Sequence, residues 1–231
     1  EGHDVIALAG EASSELVSEI ESLGCRFCTF PIERNGLNPI SDIKVLISLW
    51  RTFRVEQPDV ILSYTIKPVI WGGFAARLYG KARFYGLITG LGFAFQRGGF
   101  KRNLLGSIAT KLYRLGLAKA SAVIFQNPDN QQVFIDQKIV SEELTARVFG
   151  SGVNVSRYEN LPLPKGNPVF LTIARLLGEK GLREYASAAA IVKNIYPKTT
   201  FQIVGPEDPS PDGIPLDEVM SWHNSGAIEY L

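Results

Sequence analysis

The chain has 231 residues, of which 45% are hydrophobic and 20% are charged, as is usual for globular domains. This length suits one large domain or two small ones, and no run of about 18 apolar residues is present that could form a transmembrane helix. The net charge is +1, but residues 60–128 contain ten Lys and Arg residues and no acidic residue. A block of positive charges within a segment that is predicted to be structured indicates an anionic partner.

Short apolar runs alternate with amphipathic segments along the first half of the chain, which predicts βαβ units and a mostly parallel sheet. Strands are predicted at Val5 to Leu8, Cys25 to Phe30, Val60 to Ser63, Phe84 to Ile88 and Ala122 to Phe125. Helices are predicted at Ser13 to Leu23, from Pro39 to before Pro58, from Pro68 to before Gly80, at Leu104 to Leu115 and at Asn130 to Gln137.

Two helices carry features that predict how they pack. The helix after Pro39 has an apolar face that we expect to be inward, formed by Ile43, Leu46, Ile47, Trp50 and Phe53. The next helix contains Gly72 and Gly73 side by side, although each glycine costs about 1 kcal/mol relative to alanine inside a helix. The cost indicates close packing or close approach at these glycines, and we favour packing in the core.

The stretch Leu161 to Pro168, with the sequence LPLPKGNP, has the composition of a linker. We place the boundary there, between a domain of residues 1–162 and a domain of residues 163–231. The second domain is predicted to begin with a buried strand at Val169 to Ile173, followed by strands at Phe201 to Val204 and Ala227 to Tyr230. A piece of this size is small for a complete doubly wound domain, so we expect it to be truncated.

The two cysteines, Cys25 and Cys28, form an isolated CxxC motif. A structural zinc site needs four ligands, and the histidines His3 and His223 are far from this motif and from each other in the sequence. We expect both cysteines to be reduced, buried apolar residues, and we expect no metal site.

Two cations stand out beside the first strand of the second domain. Arg175 follows the strand Val169 to Ile173, and Lys180 precedes Gly181, where a helix is predicted to begin. The carboxyl ends of parallel strands and the amino ends of helices are where α/β proteins bind phosphate groups. Arg175 and Lys180 are therefore candidates for binding a diphosphate, and the alternative is that both are solvated surface cations.

The first domain offers candidates in two loops that follow strands. Thr65 and Lys67 end a strand just before Pro68 opens a helix, which suits an anionic group such as a diphosphate. Gly90 and Gly92 follow the strand Phe84 to Ile88, but Phe95 stands where a dinucleotide-binding motif needs a third glycine. These glycines permit close approach of a ligand, and the alternative is a tight turn.

Between Phe93 and Leu115 apolar residues recur among several Lys and Arg residues. An apolar stripe with cationic flanks can lie in an anionic membrane interface. The alternative is a helix that faces the core and has a solvated basic face. No motif that reads RNA or DNA accompanies the positive charge, so we expect no nucleic-acid partner.

Several motifs resemble those of the family-4 (group 1) glycosyltransferases. The most specific is Ile173 to Gly181, IARLLGEKG, which resembles the donor-binding signature of that family. The segment Phe149 to Asn154 resembles its Asn-Gly-Val-Asp turn, with Ser151 and Asn154 as departures from the usual residues. Further resemblances occur at GHDV (2–5), PDVI (58–61) and VGPED (204–208), and SYTIKPVIWGG, ITGLGFAF and IFQNPDNQ resemble the bacterial subgroup that acts on undecaprenyl-diphosphate-linked sugars.

The resemblance implies an α/β fold of GT-B type, with two Rossmann-like domains and the active site between them. It implies a retaining, metal-independent glycosyltransferase that needs no cofactor. The donor would be a nucleotide diphosphate sugar, most plausibly UDP-HexNAc or UDP-hexose, and the acceptor a polyprenyl-diphosphate-linked saccharide. The enzyme would lie in the cytoplasm, peripherally on the inner face of the cytoplasmic membrane, and the basic region Val60 to Pro128 would contact anionic lipid.

The resemblance also assigns roles to individual residues. Arg175 and Lys180 would bind the donor diphosphate. The donor-side loops would include Ser151, Gly152 and Gly205, and the acceptor side would include Thr65, Lys67, Gly90 and Gly92. The Glu-rich motif that binds the ribose and the donor sugar in this family has no counterpart here, so we expect a fragment that is inactive alone or binds donor weakly.

Two alternatives remain open at the level of sequence. A non-hydrolysing sugar-nucleotide 2-epimerase shares the GT-B architecture, although it would need acid/base carboxylates and His that do not cluster in this sequence. A non-catalytic module that docks on anionic membranes would use the same basic segment.

Overall fold

The computed structural model describes residues 2–32, 38–91, 100–163, 165–210 and 212–231. The chain divides into two compact units, Glu1–Asn154 and Val155–Leu231. The division falls in an irregular segment, since the described residues from 148 to 168 contain no helix or strand. The boundary predicted after residue 162 lies eight residues further along this segment.

The first unit is built from alternating strands and helices. Its elements are β1 (Ile6–Ala9), α1 (Ser14–Ser22), β2 (Arg26–Thr29), α2 (Pro39–Glu56), β3 (Val60–Tyr64), α3 (Ile66–Tyr79), β4 (Arg83–Ile88), α4 (Phe100–Leu117), β5 (Ala122–Phe125), α5 (Pro128–Asp136) and β6 (Thr145–Arg147). The sequence predicts all of these except β6, which has three residues and no apolar run that would reveal it.

The second unit continues the same alternation. Its elements are β7 (Val169–Ile173), α6 (Leu182–Ile195), β8 (Thr200–Val204), α7 (Leu216–Asn224) and β9 (Glu229–Tyr230), with a 3₁₀ turn at Gly178–Lys180. The described sheets of the chain have the strand orders β1-β2, β3-β4-β5-β6 and β7-β8-β9. All their strand pairs are parallel, which confirms the predicted α/β fold with parallel sheets.

Side-chain caps explain where several helices begin. The Ser13 hydroxyl accepts the Leu16 N–H at 3.3 Å, and the Asn127 side chain accepts the Asn130 N–H at 2.8 Å. Asn38 caps α2 in the same way, with Pro39 in the first turn. Each cap satisfies a backbone donor that would have no partner in the first helical turn, and proline has no N–H to satisfy there.

The paired glycines of α3 lie at close packing contacts, as the sequence predicts. A Cβ on Gly73 would lie 2.2 Å from the Gly116 carbonyl oxygen of α4, and one on Gly72 would lie 2.7 Å from the Ser63 hydroxyl of β3. A Cβ on Gly116 would in turn lie 2.8 Å from the Ile70 carbonyl oxygen. The helices α3 and α4 therefore touch through backbone, which only glycine allows.

The inward face of α2 differs from the predicted one. Val45, Leu49 and Phe53 are buried, whereas Ile43 and Ile47 are exposed. Residues two positions apart are separated by about 200° around a helix, so a core centred on Val45 and Leu49 turns Ile43 and Ile47 toward solvent. The prediction that these two isoleucines face inward is therefore wrong, and α2 presents apolar side chains to solvent.

The strand β7 is less buried than predicted. Val169, Phe170, Leu171 and Ile173 are all exposed by half or more of their surface. Within the described residues β7 pairs with β8 alone, so it is an edge strand, and the core of this unit forms around Phe201 and Ile203 of β8 instead. A parallel strand is covered on both faces only when helices pack on both sides, and an edge position does not guarantee this.

Candidate functional site

The loop between β7 and α6, residues 174–181, carries both predicted diphosphate-binding cations. Its backbone extends the sheet beyond β7, because the Ala174 N–H donates to the Val204 carbonyl at 3.0 Å and the Leu176 N–H donates to the Pro206 carbonyl at 2.9 Å. The Leu176 and Leu177 side chains are buried and anchor the loop in the core. Arg175, next to them, has a side chain that is 61% exposed.

Arg175 is held by a carboxylate that comes from the loop after β8. Its guanidinium Nη1 forms an ion pair and a hydrogen bond with Oδ2 of Asp208, whose side chain is only 7% exposed. The other oxygen, Oδ1, accepts the Ser210 N–H at 2.9 Å. Hydrogen bonds from Ser210, followed by the charge of Arg175, lower the pKa of Asp208 below its ordinary value, so this carboxylate is ionised at neutral pH.

Lys180 ends the 3₁₀ turn that leads into α6. The turn is fixed by Asp212, whose carboxylate accepts the Glu179 N–H at 2.8 Å and whose carbonyl accepts the Gly178 N–H at 2.9 Å. Gly181 follows with a φ of 70° and is the N-cap of α6, as the sequence predicts. The Lys180 ammonium lies 3.5 Å from the Glu179 carboxylate and remains about half exposed.

Gly205 directly follows β8 and lies against the start of the same loop. A Cβ at this position would be 1.9 Å from the Ala174 carbonyl oxygen, and its φ is 152°. The structure therefore brings Gly205 beside the residue that precedes Arg175. Its lack of a side chain is explained by this backbone contact between the two strand ends.

Ser151 and Gly152 lie in the first unit, in the irregular segment after β6. Gly152 has a φ of 71°, a conformation that favours glycine, and a Cβ there would meet nothing within 4 Å. Both residues are exposed. Their assignment to the donor side stays a prediction.

Thr65 and Gly90 follow neighbouring strands of the four-stranded sheet. Tyr64, the last residue of β3, pairs with Leu87 of β4, so these two loops leave the same edge of the sheet. Thr65 has φ 68° and ψ 164°, a conformation that costs a residue with a side chain about 1–3 kcal/mol. A Cβ on Gly90 would meet nothing within 4 Å, and Gly92 lies outside the described residues.

Lys67 points to a carboxylate rather than to open solvent. Its ammonium lies 2.9 Å from Oδ1 of Asp42 in the first turn of α2, and the two side chains are only 15% and 16% exposed. The contact is close enough for an ion pair but lacks hydrogen-bond geometry. This pair could not be predicted from the sequence, because the two residues lie on different helices.

The family of the chain follows from the first unit. Residues 1–127, which include β1 to β5 and the loops with Thr65 and Gly90, match the model of the family described as "Glycosyl transferase 4-like". The chain belongs to this family. The match confirms the resemblance that its sequence motifs show.

Two curated relatives of this glycosyl transferase 4-like protein have named activities. One is the N,N'-diacetylbacillosaminyl-diphospho-undecaprenol alpha-1,3-N-acetylgalactosaminyltransferase of Campylobacter jejuni, 28% identical over 94% of this chain and 59% of the relative. The other is the UDP-Gal:alpha-D-GlcNAc-diphosphoundecaprenol alpha-1,3-galactosyltransferase of Escherichia coli, 26% identical over 74% of this chain and 46% of the relative. The chain thus spans about half the length of these relatives.

Solved structures share the fold of this glycosyl transferase 4-like protein. A glycosyltransferase from Rickettsia africae superposes with a TM-score of 0.65 at 16% identity, covering 100% of this chain and 60% of that one. A UDP-N-acetylglucosamine 2-epimerase from Rickettsia bellii superposes with a TM-score of 0.52 at 13% identity, covering 99% of this chain and 68% of that one. The predicted fold of GT-B type is confirmed, and it is shared by enzymes of different activity.

Among the described residues of the basic region, an apolar stripe of α4 faces solvent. Leu104, Ile108 and Leu115 of α4 are exposed, while Tyr113 and Leu117 of the same helix are buried. Two cations of this region form hydrogen bonds within the protein: Arg77 donates to the Leu115 carbonyl, and Arg114 donates to the carbonyls of Gln137 and Lys138. Among the described residues no helix is long and apolar enough to cross a membrane.

The cysteines and the remaining acidic residues form no metal centre in the described part of the chain. Cys25 and Cys28 are free thiols and are half-buried rather than fully buried. No group of three or more His, Cys, Asp or Glu side chains is arranged to bind a metal ion within the residues that the structure describes. Sequence reasoning missed the role of Asp208, because its partner Arg175 is 33 positions away in the chain.

Proposed function

We propose that this protein is a retaining glycosyltransferase that transfers a sugar from a nucleotide diphosphate sugar, UDP-HexNAc or UDP-hexose, to a polyprenyl-diphosphate-linked saccharide. Family membership and the named activities of the two relatives support this proposal. The observation that carries it is the loop between β7 and α6, where Arg175 and Lys180 remain exposed on a backbone anchored by buried leucines. Such a loop is suited to bind a diphosphate.

The roles of Arg175 and Lys180 in sugar transfer follow from where negative charge develops during the reaction. As the bond between the sugar and the donor diphosphate breaks, negative charge builds on the departing phosphate oxygen. Arg175 can donate hydrogen bonds to this group and Lys180 can add a point charge, so both would stabilise the transition state more than the bound substrate. No cofactor and no metal ion form part of the proposal.

The acceptor would bind at the edge of the sheet where β3 and β4 end. The N–H groups of Ile66 and Lys67 lie in the first turn of α3, where a helix leaves its donors without intrahelical partners. These donors suit the diphosphate of a lipid-linked saccharide, with Thr65 and Gly90 beside them. Lys67 would contribute only if its ammonium could leave Asp42.

Contact with the inner face of the cytoplasmic membrane would bring the enzyme to a lipid-linked acceptor. The exposed stripe of α4, Leu104, Ile108 and Leu115, supports this location, as does the neighbouring exposed Lys111. The solvent face of α2 has the same character, because exposed Ile43 and Ile47 lie beside Lys44 and Arg51. Apolar side chains enter the membrane interface, and cations attract anionic lipid. Each Lys or Arg near the surface contributes about 1 kcal/mol to membrane binding.

The donor site is tested by titrating UDP into the 231-residue chain and into Arg175→Ala/Lys180→Ala. Charged hydrogen bonds contribute about 1.5–3 kcal/mol each, so the double variant should bind at least about tenfold more weakly. The matched control is Arg157→Ala/Lys198→Ala, which removes two cations of the same unit outside the loop and should bind like the wild type. Equal affinity in the two double variants would contradict the donor site.

Transfer itself is tested with UDP-GalNAc, UDP-GlcNAc, UDP-Gal and UDP-Glc and an undecaprenyl-diphosphate-linked saccharide. A product that gains one sugar supports the proposal. Conversion of UDP-GlcNAc to its 2-epimer without acceptor, followed by NMR, would instead favour the epimerase that shares this fold. Binding to anionic vesicles without any UDP binding would favour a non-catalytic docking module.

A further inference from the structure

The loop after β8, of which residues 206–210 and 212–213 are described, lies against the loop between β7 and α6 (residues 174–181, the donor loop). Backbone hydrogen bonds join the two loops at two places, because the Leu176 N–H donates to the Pro206 carbonyl and the Gly178 N–H donates to the Asp212 carbonyl, both at 2.9 Å. The loop is tightly wound, since a Cβ on Gly213 would lie 2.2 Å from the Asp208 carbonyl oxygen. Backbone contacts therefore fix the described residues of this loop, 206–210 and 212–213.

Within this loop, Asp208 has a defined orientation. Its side chain is 93% buried, and Oδ1 is taken by the Ser210 N–H, which directs Oδ2 toward Arg175. A guanidinium has five N–H donors, and the bond to Asp208 uses Nη1. The Arg175 side chain as a whole is 61% exposed, so a ligand in solvent can reach it.

From this arrangement we propose that Asp208 is a positioning residue that holds the Arg175 guanidinium with its remaining donors directed outward for the diphosphate of the nucleotide sugar. The inference rests on the proposed donor site. An arginine fixed before the ligand arrives loses less conformational entropy on binding, so it binds more tightly than a mobile one. Asp208 thus acts on the donor through Arg175 and does not touch it.

A second carboxylate of the same loop acts in parallel on the turn before Lys180. Asp212 accepts the Glu179 N–H, and a Cβ on Gly178 would lie 2.8 Å from Oδ1 of Asp212. One carboxylate therefore orients the arginine side chain, and the other fixes the backbone that carries the lysine.

The test is Asp208→Asn in the 231-residue chain, with UDP as the probe. The amide oxygen can still accept the Ser210 N–H, so the turn is kept while the charge toward Arg175 is lost. The matched control is Glu56→Gln, which removes the carboxylate of another arginine pair, Arg26–Glu56 at 2.8 Å, in the first unit. Two readouts are used: UDP affinity by calorimetry, and the mobility of the Arg175 Nε–H from its ¹⁵N relaxation.

We expect Asp208→Asn to weaken UDP binding about tenfold, to make the Arg175 Nε–H mobile, and to have no further effect in an Arg175→Ala background. Glu56→Gln should change neither readout. Tighter UDP binding in Asp208→Asn would mean that the carboxylate competes with the diphosphate, and it would overturn the inference. So would an Arg175 Nε–H that is already mobile in the wild type, or unchanged affinity.

The donor site and the positioning role of Asp208 can be refuted separately. If the wild type binds UDP and Arg175→Ala abolishes binding while Asp208→Asn does not alter it, the donor site stands and the positioning role is refuted. If the wild type binds no UDP even at about millimolar concentrations, at which a weak site would fill, the donor site is refuted and the positioning role falls with it, whatever the relaxation of Arg175 shows.

Discussion

Replacing Gly205 with alanine should damage the second unit more than its small size suggests. A Cβ would lie 1.9 Å from the Ala174 carbonyl oxygen and 2.7 Å from the carbonyl carbon, so β7 and β8 would have to separate at their carboxyl ends. The φ of 152° adds strain for any residue with a side chain. Overpacking costs about 1–3 kcal/mol and the backbone conformation a similar amount, which gives about 2–6 kcal/mol together.

This cost is large for a unit that runs only from Val155 to Leu231. Stability scales at about 0.05–0.15 kcal/mol per residue, so a unit of this size has roughly 4–12 kcal/mol to lose. Hydrogen exchange of β8, followed by mass spectrometry, should show the loss as faster exchange in Gly205→Ala. The displaced Ala174–Arg175 backbone should also weaken UDP binding.

The control for Gly205→Ala is Gly226→Ala. Gly226 also has a positive φ, 78°, but a Cβ there would meet nothing within 4 Å, so only the backbone conformation is penalised, by about 1–2 kcal/mol. The difference between the two variants therefore isolates the contact between the strand ends. If Gly205→Ala is no less stable than Gly226→Ala, the close approach of Gly205 to Ala174 is not present in solution.

Three further predictions concern packing, pH and lipid. Gly73→Ala should lower the free energy of unfolding in urea by about 1–3 kcal/mol, because its Cβ would meet the Gly116 carbonyl, although alanine has the better helix propensity. A variant more stable than the wild type would contradict the close contact between α3 and α4. The pKa of Asp208 is lowered from 3.8, so its carboxylate stabilises the folded state fully above that pH and loses this contribution as the pH falls further. The difference in free energy of unfolding between the wild type and Asp208→Asn should therefore shrink in acid denaturation. Leu104→Gln/Ile108→Gln should reduce co-sedimentation with anionic vesicles severalfold, and unchanged binding would place the membrane contact elsewhere.

The sequence predicts most elements well because their signals are local. Residues such as Pro39, Gly80 and Gly181 mark helix ends through their immediate neighbours in the chain. The same locality explains the motif that contains Arg175, whose strand, loop and helix follow one another without interruption.

What the sequence did not predict depends on contacts between distant residues. Ile43 and Val45 are equally apolar, and only the packing of α2 on the rest of the unit decides that Val45 is the buried one. The apolar composition of β7 indicates a strand but not its edge position, which depends on the order of strands in the sheet. The partner of Arg175 likewise comes from the loop after the next strand.

Two of the three cations predicted to bind anions, Lys67 and Arg175, differ in how they can do so. Both are paired with a carboxylate, but Arg175 is largely exposed and has donors to spare, whereas Lys67 and Asp42 are both mostly buried. An anion can therefore reach Arg175 without breaking its pair, while Lys67 must first leave Asp42. We infer that Lys67 is more important for holding α2 against α3 than for binding a ligand.

This difference gives a prediction for Lys67→Met. Removing one partner of a buried pair leaves the other charge unpaired, which typically costs about 3–5 kcal/mol, and the residual exposure of this pair should bring the loss in urea unfolding to about 2–3 kcal/mol. Asp42→Asn in the same background should recover part of that loss, because the orphaned carboxylate is gone. A single variant as stable as the wild type would show that the pair is not formed in solution. A stable variant that fails in sugar transfer would instead return Lys67 to the acceptor site.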